Sequence, residues 1–340
     1  MIKWIARWFH RTVAAPPAGA GTAAHPVHPD HPDHPGSVAS IAPAPDAGAI
    51  HTVFYRWLAG GPGADVPPAT EQLILDELRR LLASPQSAAD LVPRVPAVLP
   101  RLLRSLRDNK VCSAELARQF GQDVVLVGAL IREANSSAHR LDAPVKTIEA
   151  ALMLLGQSGV RMLLAKAAFR PIIRHQAGRF AQQLAPRLWQ QSEACALAAS
   201  RLAPAEQADP FEAYLAALLH NVGLVVALRL IDQLFAGDTL PRSEPFCRAL
   251  LASAQALSSQ IAALWEFPAT VSQAIAQAGQ SGASPLAQVL ALADRLAALR
   301  MLIDAGQIAA DDQFALRGLD AAALACLEQL RTEDPDGVSD

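Results

Sequence analysis

Only two tyrosines occur in 340 residues, and no stretch alternates Val, Ile or Thr with polar residues. Without that alternation a sheet has nothing to form on, so the Ala- and Leu-rich composition points to helix. Cysteine is scarce and scattered: Cys112, Cys195, Cys247 and Cys326 include no Cys-x-x-Cys pair. Zinc-ribbon and thioredoxin-like sites are thereby excluded. Cys195 and Cys247 fall among Ala and Leu, where a free thiol behaves as a small hydrophobe, and a reducing cytoplasm is the expected location. An excess of one charge is also lacking. The formal net charge is -3 with acids and bases interspersed, so no basic face is expected and no nucleic-acid partner with it. The richest apolar stretch, Leu215 to Leu230, is interrupted by His220, Asn221 and Arg229, so no membrane span is expected. Neither a G-x-x-x-x-G-K-[ST] phosphate loop nor a G-x-S-x-G elbow is present.

The chain is long enough for one large helical unit with an arm. Residues 1–13 read as a short amphipathic basic helix, with Trp4, Ile5, Trp8 and Phe9 opposite Lys3, Arg7 and Arg11. It either docks on the body or makes weak contact with an anionic membrane surface through residues 1–11. Its interleaved charges argue against a signal peptide. Residues 14–49, mostly Ala, Pro, Gly, His and Asp, hold too little apolar material to fold and read as a disordered linker. His25, His28, His31 and His34 recur every third residue there. In a polyproline helix that spacing is about 9 Å, too wide for two imidazoles to share an ion, so a stiff spacer is expected. Residues 50–91 supply an aromatic anchor through Phe54, Trp57 and Leu58, then a helix capped by Thr70 and running to about Leu82. After residue 302 a terminal helix near Asp320 to Arg331 and an acidic tail complete the chain, as segment 303–340.

The centre of the chain is Phe211 to Asp232, FEAYLAALLHNVGLVVALRLID, where His220-Asn221 interrupts an apolar helical run. Burying such groups without partners costs about 1 to 3 kcal/mol each, so something must satisfy them. A metal is one candidate, although Asn221 offers only a neutral oxygen. The other is a helix C-terminus at Asn221 to Gly223, where Asn and Gly tolerate the left-handed conformation and His220 bonds to backbone.

The order of short motifs carries a resemblance. Asp123, then Asn135-Ser136, Pro144, Val145, Ile148, Leu155-Gly156 and Arg161 follow one another, and then come LWQQSEACALAA with Trp189 and Ser192, LAALLHNVG, a helix ending in Trp265 and Pro268, and LALADRL. Together they resemble the HDOD domain, the HD-related output domain of bacterial signalling proteins, over residues 92–302. The resemblance implies an all-α, two-lobed domain with lobes near Val92 to Arg174 and Gly178 to Leu302. Asn135, Ser136, Pro144, Gly156, Trp189, Trp265 and Pro268 are its motif residues, the last two read as core and helix-boundary positions.

The resemblance also implies where chemistry would reside. Catalytic members of the wider HD superfamily use an early histidine, a His-Asp pair and a late aspartate to hold metal ions that activate water. Those positions fall here on Gln191, His220-Asn221 and Asp294. Only His220 and Asp294 remain ordinary ligands, so no metal, no cofactor and no catalytic residue is expected, and the four residues should form a buried polar network. The implied function is a non-catalytic signalling or scaffold module. It would be cytoplasmic and act on signalling proteins, with a homodimer compatible. Two other readings remain open at this point: a degenerate metal-dependent phosphohydrolase of a phosphoester or cyclic nucleotide, and a small-molecule sensor using the central pocket.

Overall fold

The computed structural model describes residues 47–60, 66–84, 144–174 and 178–330, with a few positions between 128 and 135. The readings placed on residues 1–46, on Cys112 and Asp123, on Ser136 and on the acidic tail lie outside the described residues, as does most of the first lobe. Among the described residues every regular element is helical. They belong to one compact unit, Pro43–Asp340. In chain order the elements are α1 (Ala47–Leu58), α2 (Pro68–Ala83), α3 (Ile148–Arg174), α4 (Arg179–Leu202) and a short 3-10 turn, Ala203–Glu206. They continue with α5 (Pro210–Leu219), α6 (Val222–Leu234), α7 (Glu244–Leu264), α8 (Ala269–Gln277), α9 (Pro285–Asp304) and α10 (Ala321–Gln329).

Local chemistry explains where these helices start. Asp209, Ser243, Ser284 and Asp320 precede α5, α7, α9 and α10, and each side chain accepts a backbone N–H of the first turn. Proline follows the cap within the first two positions of α5, α7 and α9, where its missing N–H costs nothing. Helix α4 is capped from a distance. The Asp232 carboxylate on α6 accepts from Phe180 N at 2.9 Å and Ala181 N at 3.0 Å. Gly178, at φ 102°, turns the chain into that helix in a region closed to most side chains.

The packing is built around the apolar run read as the centre of the sequence. Helices α5 and α6 lie against α4, α7, α8 and α9. Pro210–Leu234 passes as a membrane span by length and composition, yet 89% of its most apolar window is buried inside the protein. The apolar run is two helices, α5 ending at Leu219 and α6 starting at Val222, so a helix end does fall beside the Asn221 to Gly223 segment read as one. A smaller apolar cluster, Ala134, Ala151, Leu152, Val160, Leu163 and Leu164, belongs to the first lobe. Asn135 fastens it: its amide donates to Ile131 O at 2.9 Å and Val145 O at 2.8 Å and accepts from Val145 N at 2.6 Å. Pro144 sits just before this clamp, exposed, and Gly156 at φ 63° breaks α3.

The aromatic anchor is a helix three residues longer at its start than the linker boundary allowed, since α1 begins at Ala47. Ile50, Phe54, Tyr55 and Leu58 are buried, and α1 rests on α7 and α9. Trp57 stays half-buried, beside Phe54 and beneath the Arg187 guanidinium. Helix α2 begins two residues before the predicted Thr70 cap, because Pro68 already has the backbone angle a first turn needs. It buries Ile74, Leu78 and Leu81. Tyr55 donates its hydroxyl to Pro241 O at 3.2 Å. Burial, with Cys247 and Glu71 nearby, pushes its phenol well up, so it remains a donor. Replacing Tyr55 with Phe is expected to cost about 1 kcal/mol, the price of an unpaired buried carbonyl, measurable by urea unfolding.

Candidate functional site

Four elements converge beneath α1. Helix α4 presents Gln191, Ser192 and Cys195 on one face, since positions 191 and 195 are one turn apart. The α5–α6 junction presents His220 and Asn221, and α9 presents Asp294. Helix α1 adds His51. All four sequence-predicted positions come together: Asn221 Nδ2 donates to Gln191 Oε1 and, at 3.0 Å, to Ser192 Oγ. Gln191 Nε2 donates in turn to Asp294 Oδ1. His220 Nε2 lies 3.1 Å from the same oxygen, and His51 Nε2 lies 3.0 Å from Asp294 Oδ2.

The junction is held in place by backbone. His220 Nδ1 pairs with Ala217 O, which fixes its ring. Ser258 on α7 donates to His220 O at 2.5 Å and accepts from Gly223 N at 2.8 Å, so one hydroxyl satisfies both sides of the helix break. The left-handed conformation expected at Asn221 to Gly223 does not occur. Asn221 has φ -91°, and glycine is needed at 223 for space: a Cβ there would meet Ala254 O at 2.0 Å.

Electrostatics follow from this geometry. Burial by itself would raise the Asp294 carboxyl, but the adjoining His51 and His220 outweigh it and hold the group well below the usual carboxylate range. Burial pushes the Cys195 thiol well up, with the Asp294 charge adding to the effect, so it is no nucleophile. With Nδ1 of His220 paired to the Ala217 carbonyl, Nε2 is the ring atom that faces Asp294 Oδ1.

A hydrolytic metal centre of the HD kind does not fit these residues. Positions 191 and 221 carry amides, whose oxygens are neutral and weak ligands, and Gln191 and Asn221 spend their polar atoms on each other, on Ser192 and on Asp294. Other motif positions are structural. Trp189 is buried, Trp265 ends α7 and stacks on Phe169 at 6.3 Å, and Pro268 precedes α8.

The sequence reading did not find His51, Cys195 or Ser258. For His51 a signal existed: it lies three, four and seven residues before Phe54, Tyr55 and Leu58, on the buried face of α1. Cys195 was read as a small hydrophobe, which its complete burial supports, but its neighbours are polar.

Comparison with known proteins bears on the fold. The family model described as "HDOD domain" matches residues 92–281. An uncharacterised protein of Treponema pallidum (strain Nichols) is 28% identical over 158 residues, which cover 45% of this chain and 29% of that relative, so the match spans less than a third of the relative's length. An HDOD domain protein of unknown function from Geobacter sulfurreducens has TM-score 0.53 at 20% identity, covering 76% of this chain and 94% of its own. A protein from Shewanella amazonensis SB2B, provisionally described as a metal-dependent phosphohydrolase, has TM-score 0.54 at 17% identity, covering 77% and 98%. At such identities the two structures share the all-α fold.

Proposed function

Because the chain belongs to the HDOD domain family, we propose that it is a non-catalytic signalling or scaffold module that works in the cytoplasm through protein partners. One observation carries the reading: where a hydrolase would hold ions, Gln191 and Asn221 are bonded to each other and Gln191 to Asp294. A hydrolytic centre needs anionic ligands and one open coordination position to bring water onto the phosphorus. Here α1 lies over the centre and His51 engages the carboxylate that would otherwise serve.

The test is an assay of the full chain with manganese, iron(II) and magnesium against p-nitrophenyl phosphate, bis-p-nitrophenyl phosphate and a panel of cyclic nucleotides. No turnover above the buffer blank is expected. Turnover that disappears in both His220→Ala and Asp294→Asn would establish the phosphohydrolase instead. A second measurement addresses the sensor reading: none of those nucleotides is expected to raise the melting temperature, because a ligand at a hundred times its Kd would add about 2.7 kcal/mol. Partner capture should compare the full chain with one lacking residues 1–42, since removal of residues 1–65 would also strip α1 from the body and confuse partner loss with unfolding.

A further inference from the structure

We propose that the surface beneath α1 is a docking seat for an amphipathic helix of a partner protein, and that α1 occupies it in cis until the partner displaces it. The matching helix carries an aromatic and aliphatic stripe with one cationic group beside it. This deepens the non-catalytic reading and rests on it, because it names the surface and the partner chemistry through which such a module would act.

Helix α1 has the form of a groove-bound recognition helix. Ile50, Phe54, Tyr55 and Leu58 are buried at helical spacing and make one stripe against α7 and α9. Its main packing partners are those two helices rather than α2, its neighbour in the chain. Toward the body a single connection, residues 59–67, carries it. The matched family span starts at residue 92, so α1 is an addition to the domain. A helix of 12 residues is marginal alone in water, and α1 therefore owes its order to the seat.

Charge decides which helix fits. The Asp294 carboxylate lies under α1 with its two oxygens used differently: Gln191 and His220 of the body take Oδ1, whereas His51 of α1 meets Oδ2 at 3.0 Å. A carboxylate at an apolar seat favours a helix that brings a cation to it and rejects one that brings an acid. At the rim the Arg187 guanidinium lies 4.8 Å over the Trp57 ring, so an aromatic residue at that position is favoured as well.

The experiment starts from the folded full chain carrying a site for a sequence-specific protease between Pro62 and Gly63, so that α1 is cut loose only after folding. With cut chain at about 5 µM and a synthetic peptide of residues 46–60 at about 50 µM, equal affinities put the peptide on about nine-tenths of the chains in native mass spectrometry. The uncut chain should carry it on about a twentieth, because tethered α1 acts at an effective concentration near about 1 mM. His51→Ala in the peptide should weaken it about tenfold and lower its share to about half, and His51→Glu should lower it below about a tenth. A designed Ala, Glu and Lys helix bearing only the pattern of Ile50, His51, Phe54, Tyr55 and Leu58 stands in for the partner and should take at least about half of the chains.

The seat is overturned by a cut chain that keeps its own segment, carries neither segment nor peptide, or loses its helical circular dichroism as the segment leaves. Equal exchange by the parent, His51→Ala and His51→Glu peptides would remove the charge requirement, and failure of the designed helix would confine the seat to α1; either overturns the partner. Phe54→Ala should leave the sedimentation of the uncut chain unchanged, and a dimer that it abolishes would hand the seat to α1 of a second copy. Phosphoester turnover by the cut chain would sink the non-catalytic reading and leave the seat in place. Failed exchange without turnover removes the seat and leaves that reading.

Discussion

Gly223→Ala is expected to destabilise the protein by roughly 3 kcal/mol, at the upper end of what overpacking costs. The added methyl would sit 2.0 Å from Ala254 O, 2.7 Å from Ser258 N and 2.8 Å from Ser258 Oγ. Two of those atoms are backbone of α7 and cannot rotate away, so the helices must separate. Separation would also break the Gly223 N to Ser258 Oγ and Ser258 Oγ to His220 O bonds that close the helix junction. At about 2 to 4 °C per kcal/mol for a domain of 150 to 250 residues, the melting temperature should fall by roughly 10 °C. A fall of under 2 °C in calorimetry would show that α6 and α7 are not so close.

Asp294→Ala should be nearly as costly, roughly 3 kcal/mol, because it removes the acceptor shared by three groups. Gln191 Nε2 would lose its partner within a buried amide pair, and His51 Nε2 and His220 Nε2 would each lose the carboxylate oxygen they lie against. Asp294→Asn should cost less, since one amide oxygen still accepts. The effect should be local to α1: hydrogen exchange is expected to speed up across Ala47–Leu58 while α8 keeps its protection. A His51→Ala, Asp294→Ala double variant should be less destabilised than the sum of the two singles, as their interaction is counted twice there. Additivity within about 0.3 kcal/mol would mean that His51 does not interact with Asp294 in solution.

Much of the molecule was legible from local chemistry. The helix starts follow local chemistry, since Asp209, Ser243, Ser284 and Asp320 satisfy the nearest orphan N–H groups, but of these only the helix near Asp320 was expected from the sequence. The convergence of Gln191, His220, Asn221 and Asp294 was legible only through the family's motif order, because nothing in spacing alone says that residues 191 and 294 meet. Errors arose where a local rule had two causes. Gly223 was read as a backbone-angle residue, and it proves to be one of close approach. Thr70 was read as a cap although Pro68, two residues earlier, already starts the turn.

What the sequence determined by itself is the helical class, the terminal helix near Asp320 and the loss of the acidic and imidazole donors at 221 and 191. Each depends on residue identity within a few positions, where sterics and hydrogen bonding act directly. Only the tertiary structure decided that His51 faces Asp294 and that Cys195 lies beside His220, pairs separated by 243 and 25 residues in the numbering. Contacts of that kind are fixed by how buried helix faces pack against one another, and packing energy is shared among many apolar residues that carry no mark of which polar groups they will bring together.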